Sequence, residues 1–347
     1  MKLLVSGAPT LDRYTNDILK RGFHQQGIAL VDELSEATHA ILQLHGSPSS
    51  VRFDEEQVKQ LSKYNSLKSC ILLIHRPDEI QIRVPSLKAA LLDAPPTFGV
   101  AMLGTSYIDD PFFAEQGSVQ RQIRAIPHGF FEREKSHTHE HSQVVVGTHT
   151  TWGEMRSLKT AVELLAEVIK ARDELPIIGY LGGVPLDALS HEVVRSLLIT
   201  SGYTAPVVGY SAHGVHEPGS VIVNPGQPPR GFDVTFNLQI YHFGELVRKC
   251  ESSGSLHASG GIPVIAEMNG AEHLEQLRVI KVPYDVTSSL ISSLQLKSAA
   301  QHIISCVRSG EYREMLADNA VVAARWTPFS VARLYLDFFS ELDVAIR

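Results

Sequence analysis

The chain has 347 residues, of which 44% are hydrophobic, and its formal net charge is −7. This composition excludes a disordered protein and leaves room for two domains of ordinary size. The modest acidic charge, without a dense block of lysines and arginines, excludes nucleic acid as the main partner.

Strand and helix patterns alternate through the first third of the chain. The predicted strands are short apolar runs at Lys2–Ser6, Ile28–Val31, Ala40–Leu44, Cys70–Ile74, Val100–Leu103 and Arg124–Ile126. Helical patterns lie between them, at about Leu11–Gln25 and Asp54–Tyr64. The alternation predicts βαβ units and a parallel sheet, which binds ligands at the carboxyl ends of its strands.

Polar residues collect at those strand ends. Gly7 follows the first strand, and His45, His75 and His128 each follow a later one. His75 stands beside Arg76, where it could act as a general base or orient an acceptor hydroxyl. The alternative is a strand-end histidine bonded to the backbone, and the sequence does not choose among the three histidines.

A polar segment interrupts the alternation. Residues 132–142, EREKSHTHEHS, contain no apolar side chain and predict an interdomain linker. Its alternating His137, His139 and His141 match a metal site in type, but no fixed element would hold the three rings in ligand geometry. A solvated linker without metal is therefore the favoured interpretation.

A second α/β alternation follows the linker. Its predicted strands are Val144–Val146, Ile177–Leu181, Val207–Val208, Val221–Val223 and Val279–Val282, with two more inside residues 232–266. Its predicted helices are Arg156–Ala171, Val193–Leu198, Lys297–Val307, a segment from Tyr312, and Val331–Leu342. We therefore expect an N-terminal Rossmann-like domain (1–131), a linker (132–142), a C-terminal Rossmann-like domain (143–325) and a final helix (326–347) that packs back on the N-terminal domain.

Two such domains leave a cleft between facing strand ends, and cations of the second domain suit a phosphorylated ligand there. Arg156 opens a helix, where its planar guanidinium matches two oxygens of a diphosphate. Lys159 adds a second charge on nearly the same helical face. The alternative is a solvated helix start in which Glu154 pairs with Arg156 or Lys159.

A polar run between two predicted strands of the second domain suits the same kind of ligand. Glu251, Ser252, Ser253 and Gly254 supply a carboxylate, two hydroxyls and a glycine at a strand-to-helix turn, whose N–H groups attract anions. Glu245 competes with Glu251 as the acceptor of hydrogen bonds from sugar hydroxyls. The plain alternative is that Ser-Ser-Gly is ordinary loop composition and that either acid is simply exposed.

Cysteine usage and hydropathy set expectations for the compartment. Cys70, Cys250 and Cys306 match no zinc pattern and indicate a reducing compartment. The first apolar run is too short for a signal peptide, and no apolar stretch reaches the ~18 residues of a membrane helix. We expect a cytoplasmic protein without a transmembrane segment, for which peripheral membrane contact stays open.

Four segments carry a family resemblance. They are residues 126–130 (IPHGF), 144–168 (VVVGTHTTWGEMRSLKTAVELLAEV), 251–277 (ESSGSLHASGGIPVIAEMNGAEHLEQL) and 311–339 (EYREMLADNAVVAARWTPFSVARLYLDFF). Together they resemble the family-four glycosyltransferases of the GT-B class. The sequence also lacks the nucleophile elbow of serine hydrolases, the Walker A loop and the glycine fingerprint of dinucleotide oxidoreductases.

The resemblance implies two Rossmann-like domains that face each other across a cleft. It implies transfer of a hexosyl group from a nucleotide-sugar to the hydroxyl of a glycan, lipid-linked or small-molecule acceptor, with retention and without metal or other cofactor. In this assignment Arg156 binds donor phosphate, Glu251 or Glu245 contacts the donor sugar, and His75 lies at the catalytic site. The other predicted donor-side residues are Lys159, Ser252, Ser253, Gly254, Gly7 and His128.

Two positions depart from the family pattern. The second glutamate of the donor loop is absent, because Ser259 stands eight residues after Glu251. Thr148 replaces the arginine that follows the first glycine of the second domain. These departures leave open a non-catalytic GT-B partner or scaffold subunit. A nucleotide-sugar epimerase or hydrolase on the same fold is a further alternative.

Overall fold

The structure is a computed structural model of the chain. It describes residues 1–95, 97–102, 111–114, 122–126, 143–149, 155–185, 187–203, 207–209, 216–226, 231–238, 261–266, 277–283 and 291–344. Within these ranges the chain forms two parallel β-sheets, each packed against helices. The predicted linker, residues 132–142, lies outside the described residues.

The first sheet has six parallel strands in the order β2-β1-β3-β4-β5-β6. Its strands are β1 (Lys2–Ser6), β2 (Ala29–Val31), β3 (His39–Leu44), β4 (Ser69–Ile74), β5 (Phe98–Met102) and β6 (Ile123–Ala125). Every residue of β3 and β4 is buried, as expected of central strands covered by helices on both faces. The chain leaves β1 towards β2 on one side and returns to β3 on the other, so the topological switch point lies between β1 and β3.

Helices of the first half differ from the predicted ones in their bounds. They are α1 (Asp12–Tyr14), α2 (Arg21–Gln25), α3 (Val51–Lys59), α4 (Pro77–Arg83), α5 (Ser86–Asp93) and α6 (Pro111–Ala114). A π-helical segment, Thr15–Lys20, joins α1 to α2. The predicted helix at Asp54–Tyr64 is wrong in both bounds, because α3 starts earlier and gives way to a 3-10 segment, Leu61–Ser66.

The second sheet has seven parallel strands in the order β13-β12-β11-β7-β8-β10-β9. Its strands are β7 (Val144–His149), β8 (Ile177–Gly182), β9 (Val207–Gly209), β10 (Val221–Asn224), β11 (Val234–Asn237), β12 (Ile262–Ala266) and β13 (Ile280–Val282). Its helices, with the final one, are α7 (Met155–Ala171), α8 (Ala188–Thr200), α9 (Ser293–Ser309), α10 (Glu311–Ala324) and α11 (Pro328–Val344). Helix α8 is longer than predicted because Asp187 caps it, accepting a hydrogen bond from Ser190 N at 2.8 Å.

Each sheet has a main hydrophobic core of its own, and helix α11 belongs to the first. Tyr335, Phe338 and Phe339 are fully buried in that core. Glycines let the helix approach closely: a Cβ at Gly99 would lie 2.5 Å from Phe338 Cζ, and one at Gly22 would lie 2.1 Å from the Pro328 carbonyl oxygen.

These features confirm the predicted α/β class with two parallel sheets. The domain limits stay a prediction, because the segment between the sheets is outside the described residues. Among the helices that the structure describes, none is both long and apolar enough to cross a membrane.

Candidate functional site

The candidate site lies at the carboxyl edge of the first sheet. Strands β1, β3 and β4 are neighbours there, and Gly7, His45 and His75 are the residues that directly follow their ends. The parallel arrangement therefore gathers three of the residues singled out in the sequence beside the switch point, where open α/β sheets bind ligands.

His75 is held on both its backbone and its ring. Its backbone N–H donates to the Leu44 carbonyl at 3.0 Å, which extends the pairing of β3 and β4 by one residue. Its Nε2 lies 3.1 Å from Oε1 of Gln43, and Gln43 Nε2 donates to Thr15 Oγ1 at 2.7 Å. The imidazole is only 2% exposed, so this chain of side chains fixes it from within the protein.

Two further rings pack around His75. The Tyr14 ring meets it at 90° with centroids 5.1 Å apart, and the His45 ring lies 6.1 Å away. Edge-to-face contact of this kind is a favoured aromatic geometry. The three rings come from α1, the end of β3 and the end of β4, so the site is built by elements far apart in the sequence.

A turn anchored by Asp54 carries His45. The buried Asp54 carboxylate accepts hydrogen bonds from the backbone N–H groups of His45 (3.2 Å) and Gly46 (2.8 Å) and from Ser50 Oγ (2.9 Å). Three donors and the nearby amino end of α3 compensate the cost of burying this charge. Gly46 has φ of +81°, a conformation that favours glycine. The turn is therefore fixed in shape, and His45 Nδ1 also contacts Ser47 Oγ at 2.8 Å.

Gly7 lies directly against the side chain of Gln43. A Cβ at Gly7 would lie 2.8 Å from Gln43 Nε2 and 3.1 Å from Gln43 Cβ. The first strand can end here only with a residue that leaves this space open. Gly7 thus has a packing role in the described structure, and its predicted contact with a ligand stays a prediction.

In the second sheet, the later residues of β7 include Gly147, which has no side chain, and Thr148, whose side chain is buried. A Cβ at Gly147 would lie 1.8 Å from the Tyr180 carbonyl oxygen, so no side chain fits there. Thr148 is buried and donates from Oγ1 to the Phe236 carbonyl at 2.9 Å. The hydroxyl that replaces the expected arginine is therefore engaged inside the sheet.

Glycine also lies at the end of β8, the strand that pairs with β7. Gly182 closes β8, where a Cβ would lie 2.7 Å from both the Gly226 carbonyl oxygen and His149 Cδ2. Tyr180 donates to the same carbonyl at 3.3 Å, and burial raises the pKa of its hydroxyl to about 12. Tyr180 therefore stays protonated and acts here as a hydrogen-bond donor.

Of the predicted phosphate-binding pair, the structure describes one side chain. Lys159 lies on the exposed face of α7, with Nζ 3.7 Å from Glu163 Oε1. Such an exposed pair is weak and leaves the ammonium group accessible. Arg156 belongs to the first turn of α7, and its side chain lies outside the described residues.

The other predicted donor-side residues also lie outside the described residues. They are Glu245, Glu251, Ser252, Ser253, Gly254 and His128. The histidines of the predicted linker lie outside as well. In the part of the chain that is described, no group of histidine, cysteine and acidic side chains could hold a metal ion.

Sequence reasoning missed Gln43 and Asp54. Gln43 is a polar residue in the otherwise apolar run of strand β3, and that contrast was the available signal. Asp54 is the first residue of the helical pattern in the sequence. Its position four residues after a Gly-Ser-Pro-Ser-Ser run is the signal that its carboxylate folds back on that turn.

Comparisons with known proteins concern the fold. No family model matches the sequence, and no curated protein matches it. A UDP-forming α,α-trehalose-phosphate synthase from Burkholderia xenovorans superimposes with a TM-score of 0.54 at 12% identity, covering 96% of this chain and 86% of that one. A glycosyltransferase from Rickettsia africae ESF-5 gives 0.56 at 10% identity, covering 98% of each chain.

A third solved structure has a described mechanism. It is a trehalose-6-phosphate synthase studied as an example of glycosyl transfer with retention, and it gives a TM-score of 0.51 at 10% identity, covering 98% of this chain and 93% of that one. At such low identity these similarities establish the fold and not the activity. The predicted GT-B class of fold is confirmed.

Proposed function

We propose that the chain is a glycosyltransferase that moves a hexosyl group from a nucleotide-sugar to an acceptor hydroxyl, with retention and without a metal. The observation that carries the proposal is the match of two parallel-sheet domains to a glycosyltransferase over 98% of both chains. Its second support is the polar cluster of Gly7, Gln43, His45 and His75 at the switch point of the first sheet.

On the acceptor side, His75 orients rather than shuttles protons. A general base must reach the proton that it takes, and the His75 ring is 2% exposed and bonded to Gln43. His45 stands on a fixed turn and is more exposed. We therefore assign contact with substrate hydroxyls to the edge formed by His45 and the strand ends, with His75 supporting it.

On the donor side, the proposal keeps the cations of helix α7. Charge builds on the nucleotide diphosphate as it leaves, and positive side chains near a helix start stabilise that charge. Arg156 and Lys159 are assigned this role. Glu251 or Glu245 is assigned to the donor sugar, with Ser252, Ser253 and Gly254 beside the diphosphate.

A panel of nucleotide-sugars tests the function. Each donor is added to the protein with a mixture of glycan, lipid-linked and simple sugar acceptors, and melting temperature and released nucleotide are measured. A stabilising donor that is turned over only when an acceptor is present supports transfer. Nucleotide released without acceptor supports hydrolysis, conversion of the donor into an isomer that keeps its nucleotide supports epimerisation, and no stabilisation and no turnover with any donor rejects the proposal.

One observation favours a second candidate, a non-catalytic partner subunit of the same fold. Thr148 replaces a cation of the family pattern, and its hydroxyl is engaged by the Phe236 carbonyl. The donor site then has fewer charges for the diphosphate. This candidate is identified if the isolated chain binds a nucleotide-sugar but does not turn it over, and if turnover appears when a second subunit is supplied.

A further inference from the structure

We propose that Gln43 is the positioning residue of the site: it holds the proton of the neutral His75 imidazole on Nε2. Thr15 and Gly7 in turn hold Gln43 in place. This inference deepens the proposed function and rests on it only for the role of His75 in supporting the substrate site. The hydrogen bonds among Thr15, Gln43 and His75 are a property of the protein alone.

The cost of burying Gln43 is the first argument. The residue is 1% exposed and lies in strand β3, whose residues are all buried. A buried primary amide is costly unless its polar atoms are hydrogen-bonded. The amide finds partners at both ends, His75 on one side and Thr15 on the other. Leucine or valine would satisfy the packing of a core strand, so packing does not explain an amide at this position. The hydrogen bond with His75 explains it.

The orientation of the amide decides the tautomer. Gln43 Nε2 faces Thr15 Oγ1 at 2.7 Å, so Oε1 is the atom that faces His75 Nε2 at 3.1 Å. An amide oxygen only accepts hydrogen bonds. His75 Nε2 must therefore donate, which places the proton of the neutral ring on Nε2 and the ring lone pair on Nδ1.

Gly7 completes the arrangement from the neighbouring strand. A Cβ there would press on the Gln43 amide from 2.8 Å, a separation shorter than van der Waals contact. Even alanine would therefore displace the amide from His75 or force strand β1 away. The glycine that follows strand β1 thus leaves the space that the site's internal hydrogen bonds need, apart from any contact with a ligand.

Nuclear magnetic resonance of the ¹⁵N-histidine-labelled protein tests the inference without any substrate. Long-range ¹H–¹⁵N correlations distinguish the two neutral tautomers, and the His75 signals are assigned by their loss in His75→Gln. The expected result for the wild type is a proton on Nε2 at a pH above the titration of the ring. A proton on Nδ1 would overturn the inference.

Two substitutions of similar size separate positioning from mere packing. Gln43→Glu offers a carboxylate to the Nε2 proton, so it should keep the Nε2–H tautomer and raise the pKa of His75. Gln43→Met removes the acceptor, so it should release the tautomer preference and not raise that pKa. A purely structural residue would give the same response in both variants, and an identical response contradicts the proposal.

Further variants test whether Thr15 and Gly7 hold Gln43 in place, and they keep the test decisive if one variant misfolds. Thr15→Val and Gly7→Ala should each weaken the Nε2–H preference, whereas Ser69→Ala should not. Ser69 is a fair control because it is a buried, hydrogen-bonded residue at the opposite end of strand β4 from His75.

If Gln43→Met fails to fold, the spectra of Gln43→Glu and Thr15→Val decide the question. If the tautomer behaves as expected but no sugar is transferred, the positioning stands and the proposed function fails.

Discussion

The Nε2 atom of His39 lies 3.3 Å from Oδ2 of Asp343, which ties the amino end of strand β3 to the last helix, α11. Lys68 Nζ contacts the same carboxylate oxygen at 2.7 Å, and Ser69 Oγ donates to the other oxygen at 2.9 Å. One carboxylate therefore gathers groups from the amino ends of two neighbouring strands. This contact stands at the edge of the first sheet opposite to the candidate site.

The His39–Asp343 contact makes stability depend on pH. Burial lowers the pKa of His39 below 6.5 and outweighs the hydrogen bond with Asp343. Burial acts to raise the pKa of Asp343, but hydrogen bonds from Lys68, Ser69 and His39 bring it below 3.8. Both shifts mean that the unfolded chain binds more protons, so acidification lowers the free energy of unfolding: first below 6.5 through His39, then below 3.8 through Asp343.

We expect His39→Gln to reduce the fall in melting temperature between about pH 7.5 and pH 5.5, because glutamine does not titrate in this range. Each kcal/mol lost from the free energy of unfolding lowers the melting temperature by about 2–4 °C in a domain of about 150–250 residues. Thermal melts of both proteins across this range measure the effect. His24→Gln, an exposed change on helix α2, is the control, and equal slopes for His39→Gln and the wild type contradict the prediction.

We expect Gly22→Ala to destabilise the protein although alanine is the better helix former by about 1 kcal/mol. The added Cβ would lie 2.1 Å from the Pro328 carbonyl oxygen and 2.9 Å from Ala332 Cβ. Overpacking of this kind costs about 1–3 kcal/mol, so the clash outweighs the helical preference. Chemical denaturation measures the change, with His24→Ala on the exposed face of the same helix as the control. A gain in stability for Gly22→Ala would show that α11 is not seated as described.

We expect Asp54→Asn to loosen the turn that carries His45 and to cost about 1.5–3 kcal/mol, the usual range for hydrogen bonds to a charged group. Asparagine keeps only one acceptor oxygen, so its new amide group would face the N–H group of His45 or that of Gly46, both of which only donate. Hydrogen exchange of at least one of these two amides should accelerate more than that of amides in β5. The exposed acid Glu56, changed to Gln on the same helix, is the control. Unchanged protection of both the His45 and the Gly46 amide in Asp54→Asn would rule out this anchoring role.

We expect Lys159→Ala to weaken binding of a nucleoside diphosphate by about 10- to 160-fold, because a charge-assisted hydrogen bond contributes about 1.5–3 kcal/mol. Calorimetric titration with UDP measures the loss, and raised salt should shrink the difference between the two proteins. Lys170→Ala is the matched control, since Lys170 lies in the last turn of the same helix and pairs with Glu167. Equal affinities for Lys159→Ala and the wild type would remove Lys159 from the donor site.

Patterns in the sequence located most strands but not the contacts between them. The predicted strand Cys70–Ile74 lies within β4, because an unbroken apolar run of this length is typical of a central parallel strand. Helix bounds were less accurate where capping or backbone geometry decides them. The π-helical turn from Thr15 has no periodic signature, and Asp187 starts α8 before its apolar stripe begins.

The site was predictable only in part, for a physical reason. A strand-end histidine such as His75 can be recognised because strand ends follow from the apolar pattern. Its partner Gln43 lies 32 residues away on the neighbouring strand, and only the register of β3 with β4 brings them together. The roles of Arg156, Glu245, Glu251 and the Ser-Ser-Gly turn stay predictions, as do the absence of a cofactor and the cytoplasmic location.

The seating of helix α11 on the first sheet has a consequence for biosynthesis. Gln26 Nε2 donates to the Phe329 carbonyl across a separation of 303 residues, and Phe338 and Phe339 fill the core of the sheet. At translation rates of about 5–20 residues per second, the ribosome delivers this helix about 15–60 s after the segment that it covers. During that interval the nascent first sheet lacks its α11 cover, so the apolar residues that this helix buries are exposed and open to aggregation until synthesis reaches α11.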